Sequence, residues 1–202
     1  MALQTPVWDF QQPQYLAALR NFISLNDPRA QVLLTAAPAN RFKLQVSTLG
    51  LSDVVGANGL AAAAPTAWRY MAETNGHAVA VELALNTPRI TTLIEGTAAD
   101  QAFQALAALQ RNDTLPAVTF GVVHLRIAGA RVESYWLRSS PAGAMGVDRV
   151  VPFSTPLNNT LKPTPEAPTI WAPTDFLIAI KSTAETDLKF YGSDLKAPRK
   201  VN

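Results

Sequence analysis

The chain contains no cysteine. That excludes disulfides, thiol catalysis and cysteine-ligated metals, and it leaves the redox compartment open. Charge is scarce as well: 16% of the 202 residues are Asp, Glu, Lys or Arg, against 48% hydrophobic. The surface must therefore be built largely from Thr, Ser, Asn, Gln, Pro and Ala. There are two histidines, His77 and His124, each between apolar neighbours in strand-like sequence. They read as core or edge positions, not as a metal site or a Ser-His-Asp triad. No apolar run reaches the roughly 18 residues that a membrane span needs, so none is expected. Met1 to Asp9 lacks a basic region followed by an apolar stretch, so no signal peptide is read and the chain is taken as soluble. A P-loop, a Gly-rich dinucleotide fingerprint, a paired-carboxylate motif and an internal repeat are all missing. No cofactor and no metal are expected.

What is present suits a single domain spanning 1–202. Net charge is +2, and the dense basic stretch is the tail 196–202, with Lys196, Arg199 and Lys200. Arg126, Arg131 and Arg138 lie close in sequence. Pro13 in a first turn, followed by Leu16, Leu19 and Ile23 on one stripe, reads as a helix over 13–25, stopped by Asn26-Asp27-Pro28. Val7 to Phe10, 31–35 and 41–48 read as strands. Residues 50–67 fit a helix or a tight loop. Residues 77–85 and 89–95 read as strands with a turn between them. Thr97 reads as a helix cap with Asp100 as its box partner, opening a helix over 98–110. Val118 to Ile127 and Arg131 to Arg138 read as a hairpin around Ala128-Gly129-Ala130, with a further strand at 147–153. Prolines 156, 163, 165, 168 and 173 exclude regular helix or central strand, so 154–175 reads as an extended Pro-rich loop wrapping the surface. The fold class is α+β: a mixed or antiparallel sheet with two or three helices and that loop.

The segment 176–191 runs from Phe176-Leu-Ile-Ala-Ile180 into Glu185, with Lys189 four residues on. As a helix it carries an anion and a cation on one face. Leu177, Ile178 and Ile180 fit a buried strand equally, with 183–187 as a turn. On the helical reading, this segment resembles the catalytic helix of the ribosome-inactivating proteins, a family of RNA N-glycosidases. Three earlier segments are similar to that family in the same order: Trp8-Asp-Phe10 with Tyr15 to Ile23, Arg41 to Ser47, and Arg89 to Gly96 with Gln101 to Ala107. The resemblance implies removal of an adenine from a ribosomal RNA loop. Glu185 would stabilise the sugar cation and Lys189 would protonate or polarise the leaving base. Tyr70, Trp171 or Tyr191 would stack that base, and Arg199 and Lys200 would touch phosphate. The chain departs from the family pattern at Leu60, Asp100 and Leu188. The alternative is a non-enzymatic β-rich chain, either a self-assembling shell or tail subunit whose partner is itself, or a binding module.

Overall fold

The computed structural model describes residues 2–112, 115, 118–139, 148–155, 161 and 167–191. Among these the chain forms eight strands and five α-helices. In chain order they are β1 (Ala2–Gln4), α1 (Pro13–Phe22), α2 (Pro28–Thr35), β2 (Arg41–Thr48), α3 (Leu51–Val55), β3 (Ala64–Thr74), β4 (His77–Ala84), β5 (Ile90–Glu95), α4 (Thr97–Gln110), β6 (Thr119–Ile127), β7 (Val132–Ser139), β8 (Arg149–Ser154) and α5 (Pro173–Tyr191). The strands make one mixed sheet in the order β5-β4-β3-β2-β6-β7-β8. Two antiparallel meanders, β2 to β5 and β6 to β8, are joined by the parallel pairing of β2 with β6. β1 also runs parallel to β6, along its first residues.

Both faces of the sheet are covered. Helix α4 lies on one face, its Ala102, Phe103, Leu106 and Leu109 packed against Phe42, Leu44, Met71, Phe120, Val122, Tyr135 and Leu137. The opposite face carries two separate layers. Helices α1 and α2 cover β3 and β4 through Leu19, Leu33, Tyr70, Val79, Val81 and Leu83. Helices α3 and α5 cover β6 to β8 through Leu51, Val54, Leu125, Ile127, Val150, Phe176, Ile180 and Ala184. Double coverage explains the run of buried residues from Ala78 to Leu83 in β4, where a half-solvated strand would alternate.

Several expectations hold. Helix α5 spans the segment read as 176–191, and Phe176, Ile180 and Ala184 are fully buried at helical spacing while Ile178 is 66% exposed. The hairpin around Ala128 to Ala130, β2, β4, β5 and α4 fall where the sequence placed them. Others need correction. Val7 to Phe10 is not a strand; Phe10 is buried against Tyr15 and Tyr70, and β1 lies earlier, at Ala2–Gln4. Residues 31–35 belong to α2, not to a strand. Asn26-Asp27-Pro28 does stop α1, but it also starts α2: Asp27 accepts a hydrogen bond from the Arg29 N–H at 2.9 Å, with Pro28 in the first turn. Gly96, at φ +67°, caps α4 in place of Thr97, and Asp100 accepts from the Ala78 N–H at 2.8 Å instead of closing a box. The helices number five because 31–35 is helical and because 50–67, open between helix and loop in the sequence, holds the short α3 before running into β3 at Ala64. The Pro-rich loop is shorter than the expected 154–175: Ser154 ends β8, and Pro173 opens α5 at its first turn, where a missing N–H costs nothing, instead of excluding helix. Residues 167–172 are irregular, and Trp171 exchanges two 2.9 Å backbone hydrogen bonds with Val150 of β8. Residues 156–160, 162–166 and the basic tail lie outside the described residues.

Gly129 sits where the hairpin turn passes under α3. A Cβ there would lie 2.4 Å from Leu51 Cδ1 and 2.5 Å from its Cγ, and Leu51 is itself buried. Gly129→Ala is expected to destabilise the fold by about 1–3 kcal/mol through overpacking. Chemical denaturation checks this; an unchanged midpoint would show that Leu51 repacks freely.

Candidate functional site

Two polar constellations stand on opposite faces of the sheet. On the α4 face, five charged or titratable side chains interlock: Arg69 of β3, Glu82 of β4, His124 and Arg126 of β6, and Glu133 of β7. Arg69 is 2% exposed and donates to Glu82 Oε1 through Nε at 2.9 Å and Nη2 at 2.5 Å. Arg126 reaches the same oxygen with Nη2 at 2.5 Å and turns Nε to Glu133 Oε1 at 3.3 Å. Arg69 Nη1 lies 3.1 Å from His124 Nδ1. A guanidinium only donates, so Nδ1 accepts and the imidazole proton sits on Nε2, 3.4 Å from Glu133 Oε2.

The charges set each group's titration. Burial pushes the Glu82 carboxyl up, but Arg69 and Arg126 outweigh it and hold it below the ordinary carboxylate range. Glu133 is likewise raised by burial and lowered further by His124, Arg69 and Arg126. Burial, then the Arg69 charge, pushes His124 down to about 4, so it is neutral at pH 7. Each carboxylate already has its cation. The cluster therefore has no free base to offer a substrate, and its chemistry is that of a buried structural network.

On the opposite face, the gap beside the α3/α5 layer forms a cleft of about 610 Å³, a size typical of small-molecule sites. It is lined by Gln45 and Ser47 of β2 and Trp136 of β7, by Leu60, Ala63 and Pro65, and by Pro173, Thr174 and Leu177 of α5. β2 and β7 both flank β6, and Gln45 and Trp136 share the rung of Val123, which brings them to one face. Trp136 is held firmly. Its Nε1–H donates to Asp148 Oδ2 at 3.0 Å, while Asp148 Oδ1 accepts from the Ser139 N–H at 2.9 Å and its hydroxyl at 3.1 Å. Arg138, exposed and two residues along β7, lays its guanidinium 4.8 Å from the centre of the Trp136 ring. It has no carboxylate partner among the described residues. A guanidinium fixed by stacking, with its N–H fork unpaired, is suited to planar anions.

The residues singled out from the sequence are scattered. Glu185 and Lys189 are exposed on α5. Trp171 is half-buried beside that helix, against the same apolar cluster. Tyr70 lies elsewhere: it is 1% exposed in the α1/α2 layer, among Trp8, Phe10 and Tyr15, with its hydroxyl 2.5 Å from Asp9 Oδ1. Its ring is enclosed by the core and is not a platform for a base. Tyr191 closes α5, but its side chain, like Arg199 and Lys200, lies outside the described residues. The three arginines close in sequence are dispersed: Arg126 joins the buried network, Arg131 takes a left-handed conformation at φ +52°, and Arg138 enters the cleft. Trp136 and Arg138 had a legible signal, a tryptophan and an arginine two apart on a strand and so on one face. Among the described residues, no three His, Asp or Glu side chains are placed to hold a metal, and no helix is long and apolar enough to cross a membrane. Compared with protein-family models, curated proteins and solved structures, the chain matches none.

The network predicts a pH profile. Below pH 6.5 an unfolded His124 takes a proton that the folded one refuses until about pH 4. The unfolded state then binds more protons, so stability falls as pH falls, by about 3 kcal/mol across that window. Glu82 and Glu133, lowered in the fold, add loss of the same sign below the ordinary carboxylate range. Denaturant titrations should show a plateau near neutrality and a decline starting below pH 6.5. His124→Phe should flatten the upper part of that decline and leave the lower part. An identical slope in the variant would remove His124 from the account.

Proposed function

We propose that the protein is a non-catalytic binding module whose cleft over β2 and β7 takes a small organic ligand bearing a planar anionic group. The observation that carries this reading is Arg138: stacked on Trp136, unpaired by any carboxylate among the described residues, and placed in a cleft of ligand size. The amide of Gln45 and the hydroxyl of Ser47 supply hydrogen-bonding groups to the floor, and Leu60, Ala63 and Leu177 supply apolar wall. The positive end of α5 adds a weaker attraction for negative charge at the rim. The test is intrinsic tryptophan fluorescence during titration with benzoate and 3-phenylpropionate. Saturable quenching is expected, and Arg138→Gln should weaken it by about tenfold or more, the worth of a charge-assisted bidentate contact. Equal affinity in that variant would remove the cleft as an anion site.

A second reading keeps one favourable observation. Segment 176–191 is helical, as an RNA N-glycosidase site on this helix needs; Glu185 and Lys189 are exposed on it, although neither lines the cleft beside the first turn of α5. On that reading Glu185→Gln should keep the fold and lower adenine release from ribosomes by on the order of 10²–10³. Wild-type protein that releases no adenine from ribosomes or isolated loop RNA would end it.

A further inference from the structure

We infer that the ligand of this cleft is a zwitterion, a free α-amino acid with an apolar side chain; the inference rests on reading the cleft as an anion site. Trp136 is flanked by two opposite charges. Arg138 lies on its face at 4.8 Å, and Asp148 holds its ring nitrogen at 3.0 Å. Both line the cleft, and neither has a partner of opposite charge among the described residues. The Asp148 carboxylate accepts only from neutral donors there, the Trp136 indole and the N–H and hydroxyl of Ser139, while the neighbouring Arg149 guanidinium donates to the Asp148 main-chain carbonyl at 2.8 Å and not to the carboxylate. Those donors orient the carboxylate without cancelling its charge, and one of its roughly four acceptor positions is left over.

A simple carboxylate ligand on Arg138 would meet Asp148 as a like charge, which costs affinity. A ligand carrying a cationic group beside its carboxylate turns that repulsion into a second contact. An α-amino acid has both groups on one carbon, and the two protein charges sit around one indole ring. The carboxylate goes to the Arg138 fork and the ammonium to Asp148. The side chain then faces Leu60, Ala63, Pro65 and Leu177, where burial of apolar surface favours a large hydrocarbon group.

The experiment is calorimetric titration of the full chain with three molecules of nearly one shape: phenylalanine, 3-phenylpropionate and phenethylamine. Phenylalanine should bind at least about tenfold more tightly than either of the others. Asp148→Asn keeps an acceptor for Trp136 and removes the charge. It should reduce phenylalanine to the affinity of 3-phenylpropionate while leaving 3-phenylpropionate equal or tighter, which also shows that the cleft is intact. If 3-phenylpropionate binds wild type as tightly as phenylalanine, and Arg138→Gln weakens both, the zwitterion inference is wrong and the anion cleft stands. If none of the three binds at millimolar concentration, both fall.

Discussion

The structure depends on the buried ion network of Arg69, Glu82 and Arg126. A charge on the covered face of a central strand is tolerated only when paired and hydrogen-bonded. Arg69 sits on β3, Glu82 on β4, and Arg126 on β6, so the network ties the first meander to the second across β2. The network adds to the register that the apolar pattern and the turns already set. Here a slip of one residue at β3/β4 would send Arg69 or Glu82 to the wrong face and leave its partner buried and alone. Through Arg126 and His124 the network also fixes how the first meander meets the second at the parallel pairing of β2 with β6.

Each face of the sheet at that joint has a different use. The α4 face closes its charges among themselves. On the other face the α1/α2 layer and the α3/α5 layer are separate clusters, and the cleft opens alongside the second of them. A binding site in such a place needs no insertion or lid. It follows from having two helical layers on one face and one on the other. The helix α5 that walls the cleft is anchored by Phe176, Ile180 and Ala184, which leaves its first turn free to line the rim and its later residues, Glu185 and Lys189, exposed.

Much of the fold was legible because local signals and burial agreed. The strands β2, β4 and β5, the turn at Ala128 to Ala130 and the periodicity of α4 all followed from residue pattern, while 176–191 fitted helix and strand alike until its burial showed the helical spacing of Phe176, Ile180 and Ala184. Helix α2 is hard to see in the sequence because Val32, Leu33 and Leu34 look strand-like and because Asn26-Asp27-Pro28 both stops α1 and starts α2. Tyr70 differs for another reason: the family resemblance implied a ring that stacks a base, but Asp9 and the N-terminal Trp8 and Phe10, distant in sequence, enclose it. The cleft was half legible. Trp136 and Arg138 lie on one strand, but Asp148 and Gln45 join them only through strand pairing, which sequence spacing does not reveal. The network had a weaker signal, a lone charge within each of several apolar strands, which calls for a partner without naming it.

The parallel seam between β2 and β6 also dictates an order of events as the chain emerges. The meander from Arg41 to Glu95 contains only neighbouring antiparallel pairings and can form by itself. Its strand β2 then presents an unpaired edge until Thr119–Ile127 is available, because β6 is its partner on that side. β1, the first strand made, waits for the same partner. An open central edge during synthesis is a surface for wrong pairing between chains. Both pairings of β6, with β2 and with β1, join segments far apart in sequence, and non-local pairings of this kind slow folding and lengthen the interval in which a nascent chain is open to aggregation.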